Sequence, residues 1–477
     1  MEQTENKQKT EILLSNDIPK PKNLKINMPL SSTNKFTFNS PNYLNTLFTS
    51  SIGNDVTFNS PFGKKSIIYS DFTASGRGLK EIENFISNQI LPFYANIHSS
   101  CGYLAEQSTA FRNEAKSIVR RYCNTDENNS IIFTGQGTTG AIHKLIRLLN
   151  LKEYIQFYED LKALNDIFIE FFEIKGNNYD IKLDEKLKEK FEKINKLLIN
   201  KLKENFRKLF QVTNFCYTNR WGGFDCILCR MGFTTETQYN EHEKGDIHQN
   251  NLKNFKNNSN IEKSKMNFID TIANKYLSTN NNENNYIYEL IKDYDKFLPI
   301  IFLSIYEHNS NSLSWRETGA KIIYINSLKE LKLNLDKYKN NYIKMGSFTA
   351  ASNITGKYLD IDKYSILMHK FNGLAFFDYA AAAPYIKMDM NKKLPDDYRT
   401  LLGFTSIIDE KDEINITEED LSLCFKDALF FSPHKFLGGV NTPGVLLIQQ
   451  RVVRNLLVPS EPGGGVVLFV TKNSQIM

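Results

Sequence analysis

The sequence predicts an α/β protein: a three-layer large domain on a mainly parallel sheet, interrupted by a long insertion. Three observations carry this. The runs PIIFLSIYEH, KIIYIN, YIKMGSFTAAS, LAFFDYAAAA, DALFFSPHK and GVLLIQQ are short and apolar, and helical or loop text separates them. Strands apolar on both sides are those of a sheet covered on both faces. Residues 130–149, SIIFTGQGTTGAIHKLIRLL, read as a buried strand, a Gly/Thr turn and a helix, the unit from which parallel sheets are built. After Asn150 the pattern is then lost for far longer than an ordinary connection.

Composition narrows the function classes. The 477 residues carry 59 Lys and Arg against 54 Asp and Glu, a net charge of +5 that does not by itself indicate a polyanionic partner. No apolar run approaches the roughly 18 residues a membrane span requires. The N-terminus MEQTENKQKTEILLSN also lacks a secretory pattern. The expected setting is the soluble interior of the cell, cytoplasm or nucleus, with no membrane contact. There the cysteines Cys101, Cys123, Cys216, Cys226, Cys229 and Cys424 are expected to be free or metal-bound rather than in disulfides.

In chain order, residues 1–60 are polar and aperiodic and predict a disordered or loosely packed arm. The large domain occupies 61–150 and 296–451. Within it IIYSDFTASGRG, from Ile67, reads as a short strand entering a Gly-containing loop. LKEIENFISNQILPFY reads as a helix stopped near Pro92, and a second helix is expected from Ser108 to Tyr122. The insertion covers 151–295: helices over 151–210, a finger at 222–254 and an Asn-rich tether at 255–290. Leu183, Leu187, Phe191, Ile194, Leu198 and Leu202 have the spacing of an amphipathic helical pair packing on itself. Ile408 to Asp420 is acidic and predicts an exposed loop. Residues 452–477 read as the start of a further domain.

Ligands of such sheets lie outside the carboxyl ends of the strands, so the polar groups there carry the chemistry. Gly137, Thr138 and Thr139 follow a strand and open a helix, bringing backbone N–H groups and hydroxyls to one point suited to a phosphate, although Gly-Thr turns are common. His308 closes one strand, where a satisfied structural histidine is the plainer reading. Asp378 ends an otherwise apolar strand, and its carboxylate must find a partner or cap the next turn. Lys435 ends DALFFSPHK, where a solvent-facing lysine is the simple alternative.

Taken in order, YSDFTASGRG, LPFYANIHSS, FTGQGTTGAIHKL, YEHNSNSLSWRE, ASNITG, FFDYAAAAPY and FFSPHKFLGG resemble the pyridoxal-phosphate enzymes of the class V aminotransferase family, nearest its cysteine desulfurase and selenocysteine lyase branch. The resemblance covers roughly 61–150 and 296–469. It implies the fold type I large domain, an amino-acid substrate, a homodimer and pyridoxal 5'-phosphate. Lys435 would bond to the cofactor aldehyde and shuttle the substrate α-proton, with burial lowering its pKa for both tasks. Asp378 would pair with the ring nitrogen and His308 would stack on the ring. Thr138, Thr139, Ser432 and His434 would hold the phosphate, with Asn353 beside the ring substituents. The sequence departs from desulfurases in two places. Ala381 stands where they have a Gln, and no cysteine follows Lys435 to carry a persulfide. The chain stops at Met477, so the resemblance implies a C-terminal domain that is largely missing.

Cys226, Cys229, His242 and His248, spaced C-x2-C-x12-H-x5-H, form the second constellation. Two thiolates and two imidazoles suit tetrahedral Zn2+, and so small a unit needs the metal to fold. Phe224, Phe233 and Tyr239 stand where its small core needs them. The pattern resembles the matrin-type zinc finger, a class that often contacts RNA. Arg230, Lys244 and Lys253 are outnumbered here by Asp225, Glu236, Glu241, Glu243 and Asp246. That balance favours a structural or protein-contact finger over phosphate binding, with RNA as the rival partner. The sequence thus predicts a pyridoxal-phosphate enzyme of desulfurase-like type carrying a zinc finger. The alternative is a binding module whose enzyme domain is silent.

Overall fold

The computed structural model describes residues 43–97, 102–176, 216–218, 224–226, 231–233, 236–246, 249, 290, 293–392, 419–453, 469–470 and 474–476. The Lys182–Phe210 helices, nearly all of the Asn-rich tether and most of the acidic loop lie outside them. The chain divides into Met1–Ser50 and Ser51–Met477. In the first unit, helix α1 (Tyr43–Ser50) falls within the stretch expected to be a disordered or loosely packed arm.

The second unit opens with an antiparallel hairpin of β1 (Thr57–Ser60) and β2 (Gly63–Ser66). The strand expected from Ile67 does not form. Ile68 is 92% exposed, and the Tyr69 hydroxyl instead donates to the carbonyls of Asp71 and Ser75, curling the segment into a loop. Helix α2 (Lys80–Phe85) runs on through a π turn into a 3-10 turn holding Pro92, close to the stop expected there. Helix α3 spans Tyr103–Tyr122 and begins a turn earlier than its periodicity suggests.

Strand β3 (Asn129–Gln136) passes directly into α4 (Gly137–Leu148), and α5 (Leu151–Gly176) follows. Four short elements come next: β4 (Cys216–Thr218), β5 (Phe224–Cys226), β6 (Met231–Phe233) and α6 (Glu236–Lys244). The main alternation resumes with β7 (Ile300–Ser304), α7 (Asn309–Arg316), β8 (Lys321–Ile325), α8 (Leu328–Lys337), β9 (Lys344–Thr349), α9 (Ile361–Lys370) and β10 (Leu374–Asp378). Strands β11 (Ala428–Phe431) and β12 (Pro443–Gln449) complete the large sheet, and β13 (Phe469–Val470) and β14 (Ser474–Ile476) lie at the end.

Seven strands form that sheet in the order β3-β12-β11-β10-β9-β7-β8. It is mainly parallel, as expected; β12 alone runs against both its neighbours. The continuous apolar runs follow from burial on both faces. Ile301, Leu303, Phe376 and Phe430 pack toward α4 and α5, whereas Ile300, Phe302, Phe377 and Leu429 pack toward α8 and α9. Helix α5 belongs to the first layer: Tyr154, Phe157, Leu161 and Leu164 are buried there although the sequence places them in the insertion. Beyond α5, β5 and β6 pair as a hairpin followed by α6, with β4 added on one edge and β14 on the other. Among the described residues no helix is long and apolar enough to cross a membrane, and Cys123 and Cys424 are free and buried.

Candidate active site

The sheet order brings distant strand ends together. Gly137, Thr138, Thr139, His308, Asn353, Asp378, Ser432, His434 and Lys435 all line one cavity of about 860 Å³. Each element delivers its group for a local reason. Gly135 and Gly137 have φ of +43° and +56°, which lets β3 turn straight into α4. A Cβ on Gly137 would lie 2.8 Å from both His434 Cε1 and Ser432 Oγ, so only glycine fits between them. Strand β12 passes just as close, and a Cβ on Gly444 would meet the Gly137 carbonyl oxygen at 1.9 Å.

The first turn of α4, Gly137–Thr139, lines the cavity and brings there N–H groups that have no partner within the helix. One of them, Thr138 N–H, donates to Ser432 Oγ at 2.9 Å, tying α4 to the end of β11. Thr139 Oγ1 donates to Ser310 Oγ at 2.8 Å on α7. His308 caps α7: its Nδ1 accepts from Ser310 N–H at 3.1 Å. That makes Nδ1 the unprotonated nitrogen of the neutral ring. The Pro433–Lys435 turn carries His434 and Lys435, and the His434 carbonyl accepts from Gly76 N–H at 2.8 Å. Thus the loop after β2, with Asp71 and Thr73 on the cavity wall, closes the site from the other side.

The electrostatics are set by a buried carboxyl and half-buried basic groups with few counter-charges. Asp378 is 2% exposed, and its Oδ1 accepts from Ala380 N–H at 2.8 Å. Burial pushes its carboxyl up to about 6, opposed by that hydrogen bond and by Lys435. Lys435 is shifted down from its ordinary value by burial, although Asp378 and Asp71 pull the other way. His308 and His434 are also shifted down, by burial first and then by Lys435, which favours neutral imidazoles. The groups present are therefore an amine eased toward its nucleophilic form, a buried carboxylate needing a cation, and a helix N-terminus with hydroxyls suited to an anion.

This donor set fits pyridoxal phosphate. Gly137–Thr139, Ser432 and His434 could take a phosphate, Asp378 a protonated ring nitrogen and Lys435 an aldehyde. Sequence reasoning missed the other polar lining groups: Asp71, Thr73, Gln136, His143, Ser310 and Thr349. His143 had a visible signal, since it stands one helical turn beyond Thr139. Glu307, immediately before His308, was also missed. Burial, reinforced by the Asp378 charge, pushes its carboxyl up to about 7.

For the second constellation, the backbone forms the ββα unit expected of a finger. Cys226 closes β5, where it pairs with Met231, and His242 lies in α6. Cys229 and His248 lie outside the described residues. Among the described residues no group of three or more metal-ligating side chains occurs. The cysteine and histidine types still suit tetrahedral zinc.

Residues 68–158 and 280–396 match the Aminotransferase class-V family, and residues 223–249 match the family described as Zinc-finger double-stranded RNA-binding. No curated protein matches the chain. Similar solved structures include the apo cysteine desulfurase from Thermococcus onnurineus NA1, 13% identical over 85% of this chain and 59% of that chain, TM-score 0.41. A NifS-like protein from Rickettsia africae ESF-5 is 19% identical over 32% of this chain and 35% of that one, TM-score 0.22. The serine palmitoyltransferase of Sphingomonas wittichii is 14% identical over 32% of each chain, TM-score 0.21. The chain spans less than two thirds of the length of each of these proteins.

Proposed function

We propose that this chain, which belongs to the class V aminotransferase family over the residues matched above, is a pyridoxal-phosphate enzyme acting on an amino acid. The observation that carries the reading is the convergence of Lys435, Asp378, His308 and the Gly137–Thr139 turn on one cavity from separate strand ends. Bound there, the cofactor supplies an electron sink for charge developing at the substrate Cα.

The chain's own residues do the rest. The α4 N-terminus, Thr138, Thr139, Ser432 and His434 hold the phosphate, and Asn353 lies beside the ring substituents. Asp378 keeps the ring nitrogen protonated, because its buried carboxylate gains a counter-charge only in that state. His308, neutral at Nδ1, covers the ring face. Lys435 Nζ anchors the aldehyde and then takes and returns the substrate α-proton; its lowered pKa makes the free amine accessible for both roles. The motif order points to cysteine desulfurase-like chemistry. Ala381 on the cavity wall leaves the position of the desulfurase glutamine without a polar group.

The same reading gives a soluble cytoplasmic homodimer. Phe62, Ile68 and Tyr94, exposed at 86%, 92% and 71%, are the apolar residues available for contact with a second copy. Cys226, Cys229, His242 and His248 hold Zn2+ and fold the finger; its acidic balance favours a protein or structural contact over RNA.

Borohydride reduction in the presence of pyridoxal phosphate, followed by peptide mass analysis, tests the assignment. The expected result is a stable adduct on the Lys435 peptide, absent in Lys435→Ala. An unmodified Lys435, or an adduct unchanged in that variant, overturns it. Sulfide release from L-cysteine tests the finer desulfurase reading.

A further inference from the structure

Glu307 lies behind the cavity rather than on it: its neighbours His308, Thr349 and Asp378 line the wall and it does not. Its carboxylate meets only donors. Oε1 accepts from the Ser304 hydroxyl, from Ser304 N–H at 3.3 Å and from Thr349 N–H at 2.8 Å. Oε2 accepts from Asn311 Nδ2 at 2.6 Å. Ser304 Oγ itself accepts from Tyr306 N–H at 3.2 Å, which leaves its proton for the carboxylate.

The amide of Asn311 cannot be turned round. Its Oδ1 accepts from Trp315 Nε1, a donor-only group, at 3.0 Å, and from Ser347 Oγ at 2.7 Å. Nδ2 therefore faces Glu307 and the Ser347 carbonyl, the latter at 3.3 Å. The N–H partners can only donate, and the Ser304 hydroxyl alone could take a proton from a neutral Glu307. The network favours the anion, yet none of its partners carries positive charge, and burial still pushes the carboxyl up to about 7.

Through it three elements of the site are joined. Ser304 ends β7, Asn311 sits in the first turn of α7 beside its cap His308, and Thr349 ends β9. Thr349 is also the register partner of Asp378, whose carbonyl accepts from Ala350 N–H at 2.7 Å. Asp378 is close enough to repel the Glu307 carboxylate. A buried carboxyl on the wall, Asp378, and a half-buried one behind it, Glu307, thus stand together, and a cationic ligand would relieve both.

We propose that Glu307 is a positioning residue: it fixes His308 and Asp378 through its four donors and adds a second negative charge that favours a protonated ring nitrogen opposite Asp378. This rests on the pyridoxal-phosphate reading, and the test separates the two.

Dissociation constants are measured by fluorescence for pyridoxal phosphate and for its analogue with the ring nitrogen replaced by C–H. Glu307→Gln removes the charge. It is expected to weaken pyridoxal phosphate about tenfold, the effect of about one pKa unit on the ring nitrogen, and the analogue less than about twofold. Glu307→Gln in that position also sets amide against amide at Asn311. The double variant Glu307→Gln/Asn311→Asp restores donor–acceptor pairing between the two side chains, at the cost of the long 3.3 Å contact to the Ser347 carbonyl, and returns a negative charge to the network. It is expected to recover pyridoxal phosphate affinity to within about threefold of wild type, a recovery that also answers misfolding of the single variant. Equal weakening of both probes in the single variant, no weakening of either, or no recovery in the double variant overturns this inference alone. A wild-type protein that binds neither probe, with Lys435 unmodified by borohydride, overturns the cofactor reading and this inference with it.

Discussion

The pocket and the finger gather polar groups over very different lengths of chain. The pocket draws on Asp71 at one end and Lys435 at the other, with strands of a single sheet as the ruler between them. The finger's four candidate ligands fall between Cys226 and His248, around one hairpin and one helix. The large domain has buried apolar layers on both sheet faces to hold its site in place. A unit as small as the finger has no such core and depends on the metal. The lesson is one of independence: a site set by a distant core and one set by local spacing should fail separately.

The largest expected effect breaks the comparison in one direction. Zinc removal by a chelator, or Cys226→Ser, should unfold the finger, because structural zinc contributes on the order of 10 kcal/mol to such units. Pyridoxal phosphate affinity should stay within about twofold of wild type. Loss of exchange protection confined to 224–249, measured by hydrogen exchange, would sharpen the contrast; loss spreading into β3 and α4 would end it.

The second experiment breaks it the other way. Gly137→Val must place a side chain at φ +56° and into 2.8 Å contacts with His434 and Ser432. Strain of this kind costs about 1–3 kcal/mol. Pyridoxal phosphate affinity should therefore fall about a hundredfold, while zinc stoichiometry, read by metal analysis, stays unchanged.

The third expected effect is a pH dependence that belongs to the pocket alone. Burial raises the Asp378 carboxyl from 3.8 to about 6 and the Glu307 carboxyl from 4.5 to about 7. Each group holds its proton to a higher pH folded than unfolded, so the folded state binds more protons between roughly pH 4 and 7. Stability of the cofactor-free protein therefore falls as pH rises through that window and levels off above it. The loss should be about 4 kcal/mol between pH 5 and pH 8, and Asp378→Asn should remove part of it; thermal melts at those two pH values measure both. Melts that rise from pH 5 to pH 8 would show the carboxylates to be paired rather than stranded.

Much of the site was legible because strand ends in parallel sheets are where ligands sit, so a polar residue closing an apolar run stands out. Asp378 after LAFF and Lys435 after the ALFF strand are of this kind. Glu307 was not legible. In YEH it reads as a surface carboxylate beside a histidine, and its burial depends on Thr349 and Asn311, which come from β9 and α7. The segment from Ile67 was misread for a related reason. IIY has the composition of a strand, but no neighbour offers it a ladder.

Local pattern was enough for most of the strand runs, for the polar residues that close them and for where the finger's cysteines and histidines lie, because periodicity and spacing are local properties of the chain. Tertiary structure alone decided that β12 runs antiparallel between β3 and β11, that α5 joins the core, and that the Glu307 carboxyl is held by donors from β7, β9 and α7. Those outcomes depend on pairings between segments tens to hundreds of residues apart, which no local pattern encodes.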